Sequence, residues 1–115
     1  MPSLDDAVAA AEAWLKLVDA KDYAASWSNA ASVFQQGASE RDAVQRIQAV
    51  RDRLGALRTR TYQASTLTKT LPGMPDGDYA IIRFQSSFEN KAAALESITL
   101  VAEGGAWQVG GYYIK

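Results

Sequence analysis

The stretch Leu71–Tyr79, reading LPGMPDGDY, divides this chain into two unlike parts. Two prolines and two glycines in nine residues continue neither a helix nor a strand, because proline lacks the N–H donor and glycine adds backbone freedom. Within it Pro75-Asp76-Gly77-Asp78 is predicted to turn the chain, proline presetting φ and glycine accepting a positive φ. Helical patterns and one polar extended segment come before it, and three strand patterns come after. That order points to an α+β fold.

Ser3 and Asp6 have capping-box spacing, and Asp5 and Asp6 suit the positive end of a helix dipole. Leu4, Val8, Ala11, Leu15 and Val18 then repeat at helical spacing, widened by Trp14 and Leu17, which predicts a helix ending near Ala20. A second helix is predicted over Asp22–Val33, with Asp22 as its cap and Tyr23, Trp27, Ala30 and Ala31 as its inner face. Ser39 with Asp42 starts a third, whose stripe is Ala43, Val44, Ile47, Val50 and Leu54 and which Gly55 stops.

The threonine-rich Arg58–Leu71 reads as a half-exposed or edge strand. Tyr79–Glu89 alternates, with Ala80, Ile82, Phe84 and Phe88 opposite Arg83, Gln85, Ser87 and Glu89. Leu95–Glu103 follows, then the hairpin signal Gly104-Gly105 and a last strand over Trp107–Ile114. The prediction is one α+β domain over residues 1–115: a helical part, 3–55, packed on one face of a four-stranded antiparallel sheet, 58–115.

With 115 residues the chain has room for one core, and 48% apolar and 22% charged residues are ordinary for a globular protein. The net charge of −1 gives no basic footprint for nucleic acid. Cysteine and histidine are both absent, which excludes disulfides, thiol catalysis, Ser-His triads and His- or Cys-ligated metals. No acidic run has calcium-loop spacing, so neither a metal nor a cofactor is expected. No apolar run reaches membrane-spanning length. The first residues lack the basic start and apolar stretch of a signal peptide, although a replaced leader would leave the same appearance.

Arg51 stands out. It lies four residues after Ile47 and three before Leu54, on the apolar stripe, where a guanidinium needs a partner. Glu96 is the expected partner, since it shares strand parity with Ile98 and Leu100. The plain reading is a structural pair at the helix–sheet seam. The functional reading is a pocket in which Arg51, Glu96 and Tyr112 hold a polar or anionic ligand. A glycine pair at 110–111 suits a bulge that decides whether Tyr112 or Tyr113 points inward. Arg58 and Arg60 read as a solvated face or a positive rim, and Asp76 and Asp78 as turn residues. Trp14, Trp27 and Trp107 read as core.

Trp14-Leu15 with Asp19, Asp22-Tyr23 with Ser26-Trp27, Arg51 with Leu54-Gly55, and Arg60 occur in an order and spacing that continue through Leu71-Pro72-Gly73, Pro75-Asp76-Gly77 with Tyr79, Glu96, Trp107, Val109 and Gly111-Tyr112. On these residues the chain resembles the bacterial domain of unknown function 4019 family over nearly its whole length. The resemblance implies a cystatin-like, nuclear transport factor 2-like cone in which a curved sheet wraps a long helix. It also implies a periplasmic or secreted home. Ala43 departs from the aromatic residue expected there. The family has no established activity, so the resemblance supplies no catalytic residue.

The expected function is a non-enzymatic module that binds a small molecule or a protein partner, with an outer sheet patch near Tyr79 and Ile81 as the protein interface. The alternative is a small isomerase or hydrolase using Glu96 beside Tyr112 or Tyr113. A carboxylate held by arginine makes a poor base, which counts against it. A structural homodimer built on the open sheet face is the second alternative.

Overall fold

The computed structural model describes residues 3–115. Helix α1 (Leu4–Asp19) begins at the expected capping box: the Asp6 N–H donates to the Ser3 hydroxyl at 3.1 Å, and the Ser3 N–H donates to the Asp6 carboxylate at 3.2 Å. It buries Ala7, Ala11, Trp14, Leu15 and Val18. Lys21 ends it in the left-handed conformation, φ 63°, with the Asp22 N–H reaching back to the Leu17 carbonyl at 2.9 Å. Glycine usually fills that position, because a side chain there crowds the backbone.

The predicted second helix is two short ones, α2 (Tyr23–Ser28) and α3 (Ser32–Gly37), so the helical part has four helices instead of three. The break falls at Ala31, which is extended (ψ 158°) and donates its N–H to the Val109 carbonyl at 2.7 Å. A tertiary hydrogen bond outweighs the alanines' helix propensity. Helix α4 (Glu40–Leu54) starts at Ser39, which accepts from the Asp42 N–H at 3.2 Å, and stops at Gly55, φ 77°.

Strands β1 (Leu57–Thr68), β2 (Tyr79–Phe88), β3 (Lys91–Glu103) and β4 (Ala106–Ile114) form an antiparallel meander in sequence order. β1 ends three residues earlier than predicted and β3 begins four earlier, because β3 pairs with β2 right up to their hairpin at Phe88 and Lys91. Gly104 and Gly105 both have positive φ, which matches the twist of a two-residue hairpin. Between β1 and β2 the hydrogen-bonded turn is Leu71–Met74, closed at 3.1 Å, with Gly73 at φ 75°. The positive φ sits at Gly73 rather than at Gly77 as predicted. Proline at the second position and glycine at the third is the sequence of a type II turn, and Leu71-Pro72-Gly73-Met74 supplies it.

All four helices lie on one side of the sheet's inner face, and α1 supplies the centre of the core. Its apolar stripe meets Ala80, Ile82, Phe84, Ile98, Leu100, Trp107 and Val109. The Trp14 indole N–H donates to the Ser26 carbonyl at 2.8 Å, and that of Trp107 to the Ser3 carbonyl at 2.9 Å, so both rings are buried with their one polar atom satisfied. Trp27 is half-buried and bonds the Ala38 carbonyl at 3.0 Å. Among the described residues no helix is long and apolar enough to cross a membrane.

Candidate functional site

Under the C-terminal ends of α1 and α4 lies a chain of polar side chains drawn from every strand. Asp19 and Arg51 come from the helices; Arg60, Ser86, Glu96 and Tyr112 come from β1, β2, β3 and β4. Arg60 is its centre. Its Nε and Nη2 donate to Glu96 at 2.7 and 3.2 Å, and its Nη1 and Nη2 donate to Asp19 at 2.7 and 3.0 Å. Ser86 and Tyr112 give their hydroxyl protons to the two remaining positions on Glu96. Each oxygen of this fully buried carboxylate (0% exposed) thus accepts two hydrogen bonds. No acceptor site is left on it for a substrate proton.

Arg51 does not pair with Glu96 as predicted. Its Nη2 donates to Asp19 at 2.8 Å, and its guanidinium carbon stands 5.1 Å from the centre of the Phe88 ring. Helical periodicity places Arg51 on the inner face but does not say which acid lies opposite. Asp19, at the end of α1, is nearer, and Arg60 occupies the space before Glu96. Arg51 is 7% exposed, and its Nε and Nη1 are buried without a hydrogen-bond partner among the described residues.

The burial of Arg60 overturns the solvated-face reading. Arg58 and Arg60 share simple strand parity, but register shifts at Arg58 and again at Gln63 reset it. Arg58 is the extra residue and stays exposed, while Arg60 turns inward opposite Ser86. The expected bulge at the end of the chain is present too: Thr99 faces Gly111 and Leu100 faces Val109, leaving Gly110 between them. It sends Tyr112 inward, edge-on to Trp14 at 5.2 Å, and leaves Tyr113 63% exposed.

Burial works against the charge on Asp19, yet the hydrogen bonds and fields of Arg60 and Arg51 prevail and hold its carboxyl below the ordinary value of 3.8. Its contribution to stability is present above that value and fades as pH falls through the lower, folded one. Arg60 is held cationic by the same two carboxylates against the effect of its burial. Burial first, and then the charge of Glu96 and the bond to it, push the Tyr112 phenol well above its ordinary value of 10.0. The folded state therefore binds this proton more tightly than the unfolded chain does. Stability from Tyr112 is complete below pH 10 and is lost as pH rises beyond it. The urea midpoint is expected to fall from about pH 10 upward, and Tyr112→Phe should flatten that fall. An unchanged alkaline slope in the variant would show that the phenol ionises freely.

A cleft of about 640 Å³ opens beside this network, at Asp19, Lys21, Tyr23, Arg51, Asp52 and Glu89. Its volume lies within the usual range of small-molecule sites, about 300–1,000 Å³. Burial raises the Tyr23 phenol, with Asp52 adding to the rise and Arg51 opposing it, so Tyr23 keeps its proton at the cleft wall. Of the three predicted ligand contacts, Arg51 lines this cleft and Glu96 lies inside the core. Tyr112 lines instead two other hollows of about 330 and 270 Å³, which share Arg46, Ile47 and Tyr112.

Of the outer-face patch expected near Tyr79 and Ile81, Tyr79 is 3% exposed and donates to the Pro75 carbonyl, while Ile81 is half-buried. Asp78 is engaged with Lys69 at 2.8 Å. Sequence reasoning passed over Asp19 and Ser86. Asp19 follows Leu15 by one helical turn and puts an acid at the negative end of the α1 dipole, a placement that calls for a cation. Ser86 sits between Phe84 and Phe88 on the inner parity of β2, where a hydroxyl needs a buried partner.

No curated protein and no solved structure matches the chain. A family model described as "Protein of unknown function (DUF4019)" matches residues 10–112, and its span takes in all six residues of the network. The chain belongs to that family.

Proposed function

We propose that this is a non-enzymatic, exported binding module whose ligand is a small polar molecule held in the Arg51 cleft. The observation that carries the reading is the contrast between two buried polar groups. Glu96 is saturated, and so serves the fold; Arg51 has buried nitrogens unspent beside an open cleft. Leaving a guanidinium so poorly paired is unfavourable, and proteins retain such arrangements where a site needs them. The isomerase or hydrolase alternative loses support because Glu96 offers no free acceptor to a substrate.

The finer architecture belongs to the same proposal. Helices confined to one face and bulges in β1 and β4, which bend strands, support the cystatin-like cone; a flat sheet found by NMR in solution would count against it. Export rests on the family resemblance, and recovery of the native protein from the cytoplasmic fraction alone would refute it.

The test of the cleft is Arg51→Met. Its unfolding free energy is expected to lie within about 0.5 kcal/mol of the parent or above it, while ligands that perturb the cleft resonances of the parent no longer do so. A loss on the order of 3–5 kcal/mol would instead make Arg51 a structural residue and remove the reason for the proposal.

A second reading, a protein partner, is favoured by the edge of β4. Leu95 and Lys115 exchange both backbone hydrogen bonds, so by antiparallel alternation the N–H and C=O of Tyr112 and Ile114 face away from β3, toward the α4 groove. That edge suits an added strand with an acidic residue for Arg46, and a twofold pair of β4 edges would set Arg46 against Arg46. Peptides selected on the parent should bind Ile114→Pro at least tenfold more weakly; equal binding would exclude the edge.

A further inference from the structure

We infer that the ligand of the Arg51 cleft is a small zwitterion of the α-amino-acid type, its carboxylate taken by Arg51 and Lys21 and its ammonium by Asp52 or Glu89. The inference rests on the reading of this cleft as a binding site, and two independent peculiarities of the cleft carry it further. Arg51 is the only residue among those described with buried, unpartnered side-chain polar atoms. Lys21 is the only non-glycine residue among them with a positive φ. Both line the same cleft.

The Lys21 backbone is the more telling of the two. It occupies the left-handed position of a helix end, whose hydrogen bonds (Asp22 to Leu17, Lys21 to Val18) glycine would complete without steric cost. Strain of this kind persists where a side chain is needed at that place. What lysine adds over glycine is a cation on a long stem beside Tyr23. Arg51 brings a second cation, with one nitrogen spent on Asp19. A turn of its guanidinium brings the sealed Nε and Nη1 toward the cleft, where a carboxylate satisfies them. Asp19 itself is engaged by Arg51 and Arg60 and does not compete for the ligand's cationic end.

The remaining acids decide between ligand classes. Asp52 and Glu89 also line the cleft, and the space over Gly55 is taken by the Glu89 side chain, 2.6 Å from where a Cβ would stand. A polyanion such as phosphate or citrate would meet these carboxylates. A molecule carrying one charge of each sign satisfies both ends of the lining, and the neutral Tyr23 phenol offers a further hydrogen bond.

The experiment is an amide-resolved NMR titration of the full chain with each free L-amino acid of the standard set. The best binder is followed by its deamino and decarboxy analogues, with inorganic phosphate and glycerol as reference probes. Shifts are expected at Lys21, Tyr23, Gly55 and Glu89, with at least a tenfold loss of affinity for either analogue. Lys21→Gly should melt at a higher temperature than the parent and bind the amino acid at least tenfold more weakly. Equal binding by the deamino analogue would reduce the ligand to a plain carboxylate and overturn the inference, as would undiminished binding by Lys21→Gly. If phosphate or glycerol moves the cleft resonances and no amino acid does, the zwitterion is refuted and the cleft remains a binding site. If no probe moves them, both readings fall.

Discussion

Arg60→Met is expected to lower the unfolding free energy by about 3–5 kcal/mol, the usual cost of removing one partner from a buried ion pair. The change strips Glu96, at 0% exposure, of its only cationic partner among the described residues and takes from Asp19 its bidentate partner. Ser86 and Tyr112 can still hydrogen-bond Glu96, but neither neutralises it. The cost therefore comes mainly from a charge left in the core and much less from the lost contacts. Adding Glu96→Gln should restore part of the stability, so that the double variant costs less than the sum of the singles by more than about 1 kcal/mol. Urea unfolding of the four proteins measures this directly. A cost under about 1 kcal/mol for Arg60→Met would mean that water reaches Glu96 and that the network is not sealed.

Trp14→Ala is expected to cost a similar amount, about 3–5 kcal/mol, for a different reason. The ring lies edge-on to Tyr112 at 5.2 Å and to Phe34 at 6.1 Å, and its N–H satisfies the Ser26 carbonyl. Alanine leaves a cavity, an orphaned carbonyl and a Tyr112 ring free to tilt away from Glu96. Trp14→Phe keeps most of the volume and loses only the hydrogen bond, so its cost should be near 1–2 kcal/mol. Near-equal losses for the two variants would show that the Ser26 bond, rather than packing, is what Trp14 provides.

The parts of this fold that local chemistry decides were legible in the residues. Ser3 with Asp6, Ser39 with Asp42, and the Gly104-Gly105 pair each specify a backbone event by their own side chains or lack of them. The inner parity of β2 and β3 followed from alternation alone. The site was legible only in part, because Arg51 and Glu96 stood out as charges on apolar faces, whereas the link between them did not. Arg60 lies in a strand whose bulges reset parity twice, and a bulge at Arg58 leaves no trace in a threonine-rich sequence. Asp19 depended on how far α1 and α4 lie from each other, which no periodicity encodes. The single break at Ala31 likewise answers to a carbonyl on the last strand.

The indole of Trp107 is fastened to the carbonyl of Ser3, so the cap of α1 and strand β4 hold one another. This has a consequence for the order in which the chain can become folded. Helix α1 buries its stripe against residues of β2, β3 and β4, and thus emerges from a ribosome long before the surfaces that cover it exist. Such non-local closure delays the cooperative step until β4 has been made. A domain whose first helix must wait for its last strand exposes the apolar stripe of α1 to other binders until β4 is in place.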